Sequence, residues 1–376
     1  MKTTGIICEF NPLHLGHAKL LRLARIAVGN DGGVVCLMSG NFVQRGAPAI
    51  FDKSHRAEAA LRCGADLVLE LPITASLSSA EGFAAEGVRI LSGFCHSLSF
   101  GTESGDADAL MDTASRLLAP DFPEKLRTQL DKGLSFPAAR QAALGSTLLS
   151  SPNDILGVEY CKAILSQGAA MEPHVIRRLG SYHDTAPDPE NPSATALRSA
   201  ITAGAPWLSY VPEPARPCFE NAGIHTLEQG EKAILARLRC MTDEEFEALP
   251  HSSEGLWRKF MHAVRSEGSI EAIQTAVKSK RYTRTRLDRM LMCAFLGITD
   301  EILHTPVPYT RVLALNDRGR EILKTARQTG EFLNAGTPTG TDYEALEHRA
   351  GALYALFAPT PESPNAEKNR RVVYAP

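Results

Sequence analysis

The chain has 376 residues, of which 44% are hydrophobic and 22% charged, and its formal net charge is −3. This length fits about two domains, with cores large enough to need no disulfide or metal staple. The charge excludes a wholly basic nucleic-acid-coating protein but allows a local basic patch, and no apolar run nears the roughly 20 residues of a membrane-spanning helix.

The first elements alternate between strand and helix signals. Met1-Lys2-Thr3-Thr4 carries one basic residue and leads into a strand, which is not the pattern of a signal peptide. Thr4–Phe10 is a short apolar run ending in the turn Asn11-Pro12, and a helical pattern follows in which Leu20, Leu21, Leu23, Ala24 and Ala27 share a face. Val34–Met38 predicts a buried strand, Asp52 to Arg62 a helix capped by Asp52, and Leu67–Leu71 a third strand. Ser79 to Leu91 reads as a helix and Ser97–Phe100 as a fourth strand. Strand and helix alternating at this spacing predict a parallel sheet covered on both faces, with ligands at the carboxyl ends of its strands.

Asp106 to Ala170 is mostly helical in pattern, His174–Arg178 is a candidate strand, Tyr182 to Pro192 a loop, and Ala194 to Ala203 a short helix. Pro206, Pro212, Pro214 and Pro217 then crowd together and mark a boundary. The expected fold is α/β: a Rossmann-like parallel-sheet unit over 1–205, followed by a mainly α-helical unit over 206–376. None of the eight cysteines lies in a C-x-x-C pair. They read as small core residues in a reducing cytosol, and no metal site is expected.

The sharpest chemical signal is His14-Leu15-Gly16-His17, directly after the first strand and at the start of a helix. Histidines at i and i+3 point the same way, Gly16 leaves room for a base or ribose to approach, and a helix N-terminus is a seat for triphosphate. Imidazole N–H donors there would stabilise charge building on an α-phosphate during in-line attack. The alternatives are two unrelated histidines near a turn, or a metal site lacking its third ligand. Ser193, Thr195 and Arg198 at a later helix start form a second phosphate candidate; the plain alternative is an N-cap.

The pattern Gly5-x-x-x-Glu9-Phe10-Asn11-Pro12-x-His14-x-Gly16-His17, with the late Ser-x-Thr-x-x-Arg, resembles the HxGH nucleotidyltransferase superfamily. Met38–Ala49, Asp66–Pro72, Phe100–Asp106, Pro152–Gly157 and Lys280–Leu287 narrow this to a resemblance to the bacterial tRNA(Met) cytidine acetate ligase family, running from Gly5 to about Leu287. The resemblance implies activation of acetate by ATP to acetyl-AMP. The acetyl group then passes to N4 of the wobble cytidine of elongator tRNA(Met). It also implies an ATP-binding segment from Ile7 to Leu20, including Cys8, Glu9, Phe10, Asn11, His14, Gly16 and His17, with Gly101 against the nucleotide, Asn153 hydrogen-bonding it, and Arg177 and Arg178 at its phosphates or ribose. The chain departs from the family pattern at Leu13, Leu15, Asp154 and Arg284.

The residues themselves add three expectations. Arg45, in a loop bracketed by Gly40 and Gly46, and Lys53 and Arg56 are placed beside the triphosphate, to neutralise departing pyrophosphate or hold tRNA phosphate, with Arg45 counted as catalytic alongside the histidines and His55 on a solvated face. Glu9 either repels a phosphorylated second substrate or accepts loop N–H groups. Lys278, Lys280, Arg281, Arg284, Arg286 and Arg289 oppose only Asp288 within their own stretch and form a candidate stripe for tRNA phosphates, the alternative being a solvated helix. Mg²⁺ is expected with ATP, no membrane partner is expected, and the location expected is cytoplasmic. The competing readings are an adenylyltransferase acting on a small phosphorylated metabolite and a non-catalytic RNA-binding protein. Glu9 and the helical unit argue against the first, and the two histidines against the second.

Overall fold

The computed structural model describes residues 1–146, 148–178, 192–279 and 282–375. Its strands are β1 (Thr3–Cys8), β2 (Gly33–Ser39), β3 (Phe42–Val43), β4 (Ala47–Pro48), β5 (Leu67–Leu71), β6 (Ser97–Thr102), β7 (Glu172–Arg177), β8 (Thr310–Leu315), β9 (Phe332–Asn334) and β10 (Val373–Tyr374). The central sheet runs β10-β8-β5-β2-β1-β6-β7, with β9 beside β8. β5, β2, β1, β6 and β7 are mutually parallel, and β8 joins β5 antiparallel.

Alternation along the strands supplies two cores. Ile7, Val35, Leu37, Leu67 and Leu69 face one side, against the helices Ala80–Leu91, Ala107–Leu118 and Pro152–Ser166. Ile6, Cys8, Val34, Cys36, Met38 and Val68 face the other, against α1 (Leu15–Val28) and α2 (Lys53–Arg62). Every residue of β1 and β2 is buried, as a sheet covered on both faces requires. The chain steps outward from β1 to β2 and β5, then returns to β6 and β7 on β1's other side. The β1–β6 boundary is therefore the switch point, where a crevice opens at the carboxyl ends.

A third core is helical. It gathers Ile234 to Ile298 with Leu346, Ala350, Tyr354 and Phe357, and it includes Phe42 from β3 and Leu77. The segment expected to be a separate helical unit therefore does two things. Its helices build their own core, and its strands β8, β9 and β10 extend the first unit's sheet. Among the described residues no helix is long and apolar enough to cross a membrane.

The β3–β4 hairpin joins the sheet to the helical core. Phe42 packs edge-on against Tyr354 and Phe357, at ring-centroid distances of 5.9 and 6.0 Å. At its tip Gly46 has φ +74°, and a Cβ there would lie 2.3 Å from the backbone of Asp288 and Arg289. Gly133 shares the left-handed conformation at φ +83° but faces open space. Gly133→Ala is expected to cost about 1–2 kcal/mol from conformation alone, and Gly46→Ala about 1–3 kcal/mol more from overpacking. Urea unfolding of the two variants measures the difference; equal losses would contradict the close packing at the hairpin tip.

Candidate active site

The loop after β1 delivers both histidines to the switch point. His14 caps α1, and its Nδ1 accepts from the Gly16 backbone N–H at 3.1 Å. A Cβ on Gly16 would fall 3.0 Å from the His14 ring, so the glycine gives that ring space to fold back over the helix start. The His14 and His17 rings stack at 3.7 Å and 28°. Phe10 braces His17 at 5.1 Å and is held at φ +47° in a buried position. That left-handed conformation is uncommon for an aromatic residue and stores about 1–3 kcal/mol at the site.

Both imidazoles are neutral. Burial, then the charges of Arg178 and Arg198, bring His14 down to about 3. Burial, His14 and Arg178 hold His17 well below its ordinary value, against the pull of the Pro12 carbonyl. An Nδ1 that accepts from Gly16 carries no proton, so the His14 proton sits on Nε2. His17 Nδ1 is buried and has no hydrogen-bond partner among the described residues.

Two arginines, Arg178 and Arg198, bear on this pair from two elements, and a third, Arg45, lies within electrostatic reach of Arg198. Arg198, on the helix Ala194–Thr202, donates to the Asn11 carbonyl at 2.8 Å and to Thr195 Oγ1 at 3.1 Å. Burial lowers its guanidinium, Glu9 opposes that shift, and Arg45 adds to it. Arg45 is exposed at the hairpin tip. Arg178 follows β7 with its stem against Gly101, where a Cβ would lie 3.0 Å away. Its Nη1 donates to Asn153 Oδ1 at 3.4 Å.

Other expected residues play different parts. Arg177 turns to the opposite side of the strand end and lies against Gly105. Ser193 Oγ accepts from the Ala196 N–H, which is the N-cap alternative. The side chains of Ile7, Cys8 and Phe10 are buried, and Leu20 packs against the same core as Cys8 and Phe10. Asn153 donates to Glu103 at 2.6 Å, and Glu103 also accepts from the Asp154 N–H. Sequence reading passed over this ordering role of Glu103. Its only local signal is a carboxylate just beyond a strand, with its helix partner fifty residues away.

Glu9 Oε1 accepts from the Gln44 N–H at 2.7 Å, so its carboxylate ties the loop after β1 to the hairpin. Lys53 and Arg56 do not face the crevice as expected. Lys53 is 3% exposed and is clamped by Glu70 and Glu367. Arg56 is fully buried and donates only to backbone carbonyls. His55 is half-buried on α2.

The basic segment is not one uniform stripe. Arg284 pairs with Glu271 at 2.6 Å as well as with Asp288 at 3.3 Å, so Asp288 is not its sole acidic neighbour. Arg286 binds the His251 carbonyl and Ser253 Oγ, with its guanidinium 5.4 Å over the Tyr282 ring. Arg289 is only 9% exposed, and its Nε has no partner among the described residues. Lys278 is exposed, while Lys280 and Arg281 lie outside the described residues. The segment's helix, Arg284–Leu296, touches the Gly46 turn beside Arg45.

Comparison with known proteins matches this geometry. The HIGH Nucleotidyl Transferase family matches residues 1–369. The tRNA(Met) cytidine acetate ligase of Clostridium novyi is 38% identical over 353 residues, covering 86% of this chain and 87% of that protein. The protein of the same name from Thermosipho melanesiensis is 35% identical, covering 90% and 85%. The crystal structure of Thermotoga maritima TmcAL superposes with a TM-score of 0.91 at 30% identity over the whole of both chains, and its form bound with alpha-thio ATP does so at 0.87. With the paired imidazoles at the switch point and this likeness along nearly its full length, the chain belongs to the tRNA(Met) cytidine acetate ligase family of HIGH nucleotidyltransferases.

Proposed function

We propose that the protein activates acetate with ATP and acetylates N4 of the wobble cytidine of elongator tRNA(Met) in the cytoplasm. The observation that carries this reading is the stacked, neutral His14–His17 pair at the switch point, with Arg178 and Arg198 beside it and Arg45 within electrostatic reach of Arg198. The names of its relatives and the alpha-thio ATP bound by the Thermotoga maritima protein support it.

An acetate oxygen attacks the α-phosphorus in line, and the bond to pyrophosphate breaks. His14 Nε2–H and the adjacent His17 ring meet the α-phosphate, where charge develops most in the transition state. Arg198, Arg178 and Arg45 take the β- and γ-phosphates and the departing pyrophosphate. In the second step the cytidine N4 attacks the acetyl carbon and AMP leaves. N4 is a weak nucleophile, so holding a splayed-out base against the mixed anhydride supplies much of the rate. Among the described residues no group of three or more His, Cys, Asp or Glu could hold a metal ion. Mg²⁺ would therefore arrive on the nucleotide phosphates, where it adds charge neutralisation.

Incubation with ATP, Mg²⁺ and labelled acetate, with and without an elongator tRNA(Met) transcript, tests the whole reading. Label mapping to the wobble cytidine is the expected result, and no pyrophosphate release under either condition overturns it. His14→Ala and His17→Ala should each lower the rate of pyrophosphate release by roughly 100- to 1,000-fold; an unchanged rate would remove the imidazoles from the chemistry.

The same electrostatics predict a titration. Arg178 and Arg198 help to keep His14 near 3, and a bound triphosphate offsets both cations, so nucleotide binding should raise the His14 value. NMR of the imidazole with and without a non-hydrolysable ATP analogue reads this, and an unchanged or lowered value would place the phosphates elsewhere. Replacing Lys278, Lys280 and Arg281 with Ala should weaken tRNA binding and flatten its salt dependence by about one logarithmic unit per lost phosphate contact. ATP affinity should stay unchanged; its loss would point to a structural role for the segment.

A further inference from the structure

Residues 359–371 contain three prolines and no aromatic or large aliphatic side chain, and nearly all are exposed. Two side chains in this stretch are exceptions: Glu367 is 8% exposed and Arg370 6%. Ionic contacts, not apolar burial, hold this part of the tail to the body.

The contacts of these two side chains are directed at one place. Arg370 grips both oxygens of Asp52, at 2.7 and 2.9 Å, and also reaches Ser54 Oγ and Glu367. Glu367 accepts from Lys53 Nζ at 2.6 Å, and the same ammonium holds Glu70 at the end of β5. Asp52 and Lys53 form the start of α2, where the loop carrying the β3–β4 hairpin ends. Asp52 accepts from Asn41 Nδ2 at 3.0 Å, and Asn41 Oδ1 accepts from the Lys53 N–H at 2.8 Å. The Asn41 carbonyl also accepts from the Ala49 N–H at 2.9 Å. Both ends of the loop 41–52 are thus tied at the point where the tail's charges land. Arg45 projects from the middle of that loop.

We propose that Glu367 and Arg370 are positioning residues: the C-terminal tail is an ionic clasp that fixes the reach of Arg45 toward the nucleotide phosphates. The inference rests on the phosphate role proposed above for Arg45. Neither tail residue touches the crevice. They act by holding Asp52 and Lys53, and through them the base of the hairpin. A displacement of about 1 Å at a charge-stabilising group is enough to lower a rate on the order of a hundredfold.

The test compares Arg370→Gln, Arg370→Lys and the milder Glu367→Gln in the full-length protein, each alone and combined with Arg45→Ala. Arg370→Gln should lower kcat for pyrophosphate release on the order of tenfold to a hundredfold with KM for ATP changed less than about threefold, and Arg370→Lys should recover part of the loss. In the Arg45→Ala background the further loss should be under about twofold, because the clasp acts through that side chain. Amide hydrogen exchange across 40–54 should speed up in Arg370→Gln and Glu367→Gln. Full additivity with Arg45→Ala, or unchanged exchange in that segment, overturns the clasp. If the wild-type protein releases no pyrophosphate, the functional reading fails, and the exchange measurement still decides whether the tail holds the loop.

Discussion

The Arg56 guanidinium is fully buried and has no carboxylate partner among the described residues; four backbone carbonyls take its hydrogen bonds. Glu9 supplies one from the loop after β1, Ser39 and Gly40 supply two from the end of β2, and Phe51 supplies the fourth from the entry to α2. Parallel strands end by pointing carbonyls into the crevice, and these have no neighbouring strand to pair with. A planar cation with five donors in a fixed fork satisfies several at once, which a lysine cannot do. Removing such a charge from water costs several kcal/mol. Four hydrogen bonds from a charged donor, at about 1.5–3 kcal/mol each, offset that cost. The two loops that build the site therefore share one tie. Shifting it would move the approach to His14 and the base of the Arg45 hairpin together.

Around this tie the crevice holds an imbalance of charge. Arg178 and Arg198 bear on two neutral imidazoles, while Glu9 accepts from the Gln44 N–H and Glu103 from Asn153 and the Asp154 N–H. The triphosphate proposed above would complete the set, because it would offset the cations that, with burial, hold both imidazoles neutral. The pH dependence follows in sign. Folded His14 takes up its proton near 3, and an unperturbed histidine near 6.5. Between those values the unfolded chain binds more protons, so stability drains away as pH falls from about 6.5 toward 3. Above 6.5 this group contributes no pH dependence, and the neutral donor on His14 Nε2 is fully formed.

The sheet and its switch point were legible because parallel strands advertise themselves. Each is a short apolar run, the helices Lys53–Arg62, Ala80–Leu91 and Ala107–Leu118 carry side-chain caps at Asp52, Ser79 and Asp106, and the histidines stand directly after the first strand. The basic residues of α2 were misread for a physical reason. Lys53 and Arg56 have the spacing of a solvated or phosphate-facing pair, but the groups that bury them lie far off in sequence, at Glu70 and Glu367 for one and at loop carbonyls for the other. The return of the C-terminal segment to the sheet was hidden likewise. β8 lies against β5 across more than two hundred residues, and no local pattern encodes which edge a late strand will join. Arg284 shows the same limit on a shorter scale, since Glu271 sits on a separate helix from the basic segment that it partly neutralises.

The hairpin that presents Arg45 belongs to both halves of the molecule. Its strand residue Phe42 is part of the helical core, its tip rests on the backbone of Asp288 and Arg289, and its backbone is tied to Glu9 beside the histidines. The helix Arg284–Leu296 and the loop after β1 are therefore joined through packed and hydrogen-bonded atoms of the hairpin. This bears on the order of the two half-reactions. Acetyl-AMP is prone to hydrolysis, so an enzyme gains by making it efficiently only when the acceptor is near. RNA phosphates drawn to that segment would meet the helix that packs against the Gly46 turn, next to Arg45, the residue proposed above for the departing pyrophosphate. The close approach at Gly46 is the physical basis for linking them, because a side chain at that position would push the two surfaces apart.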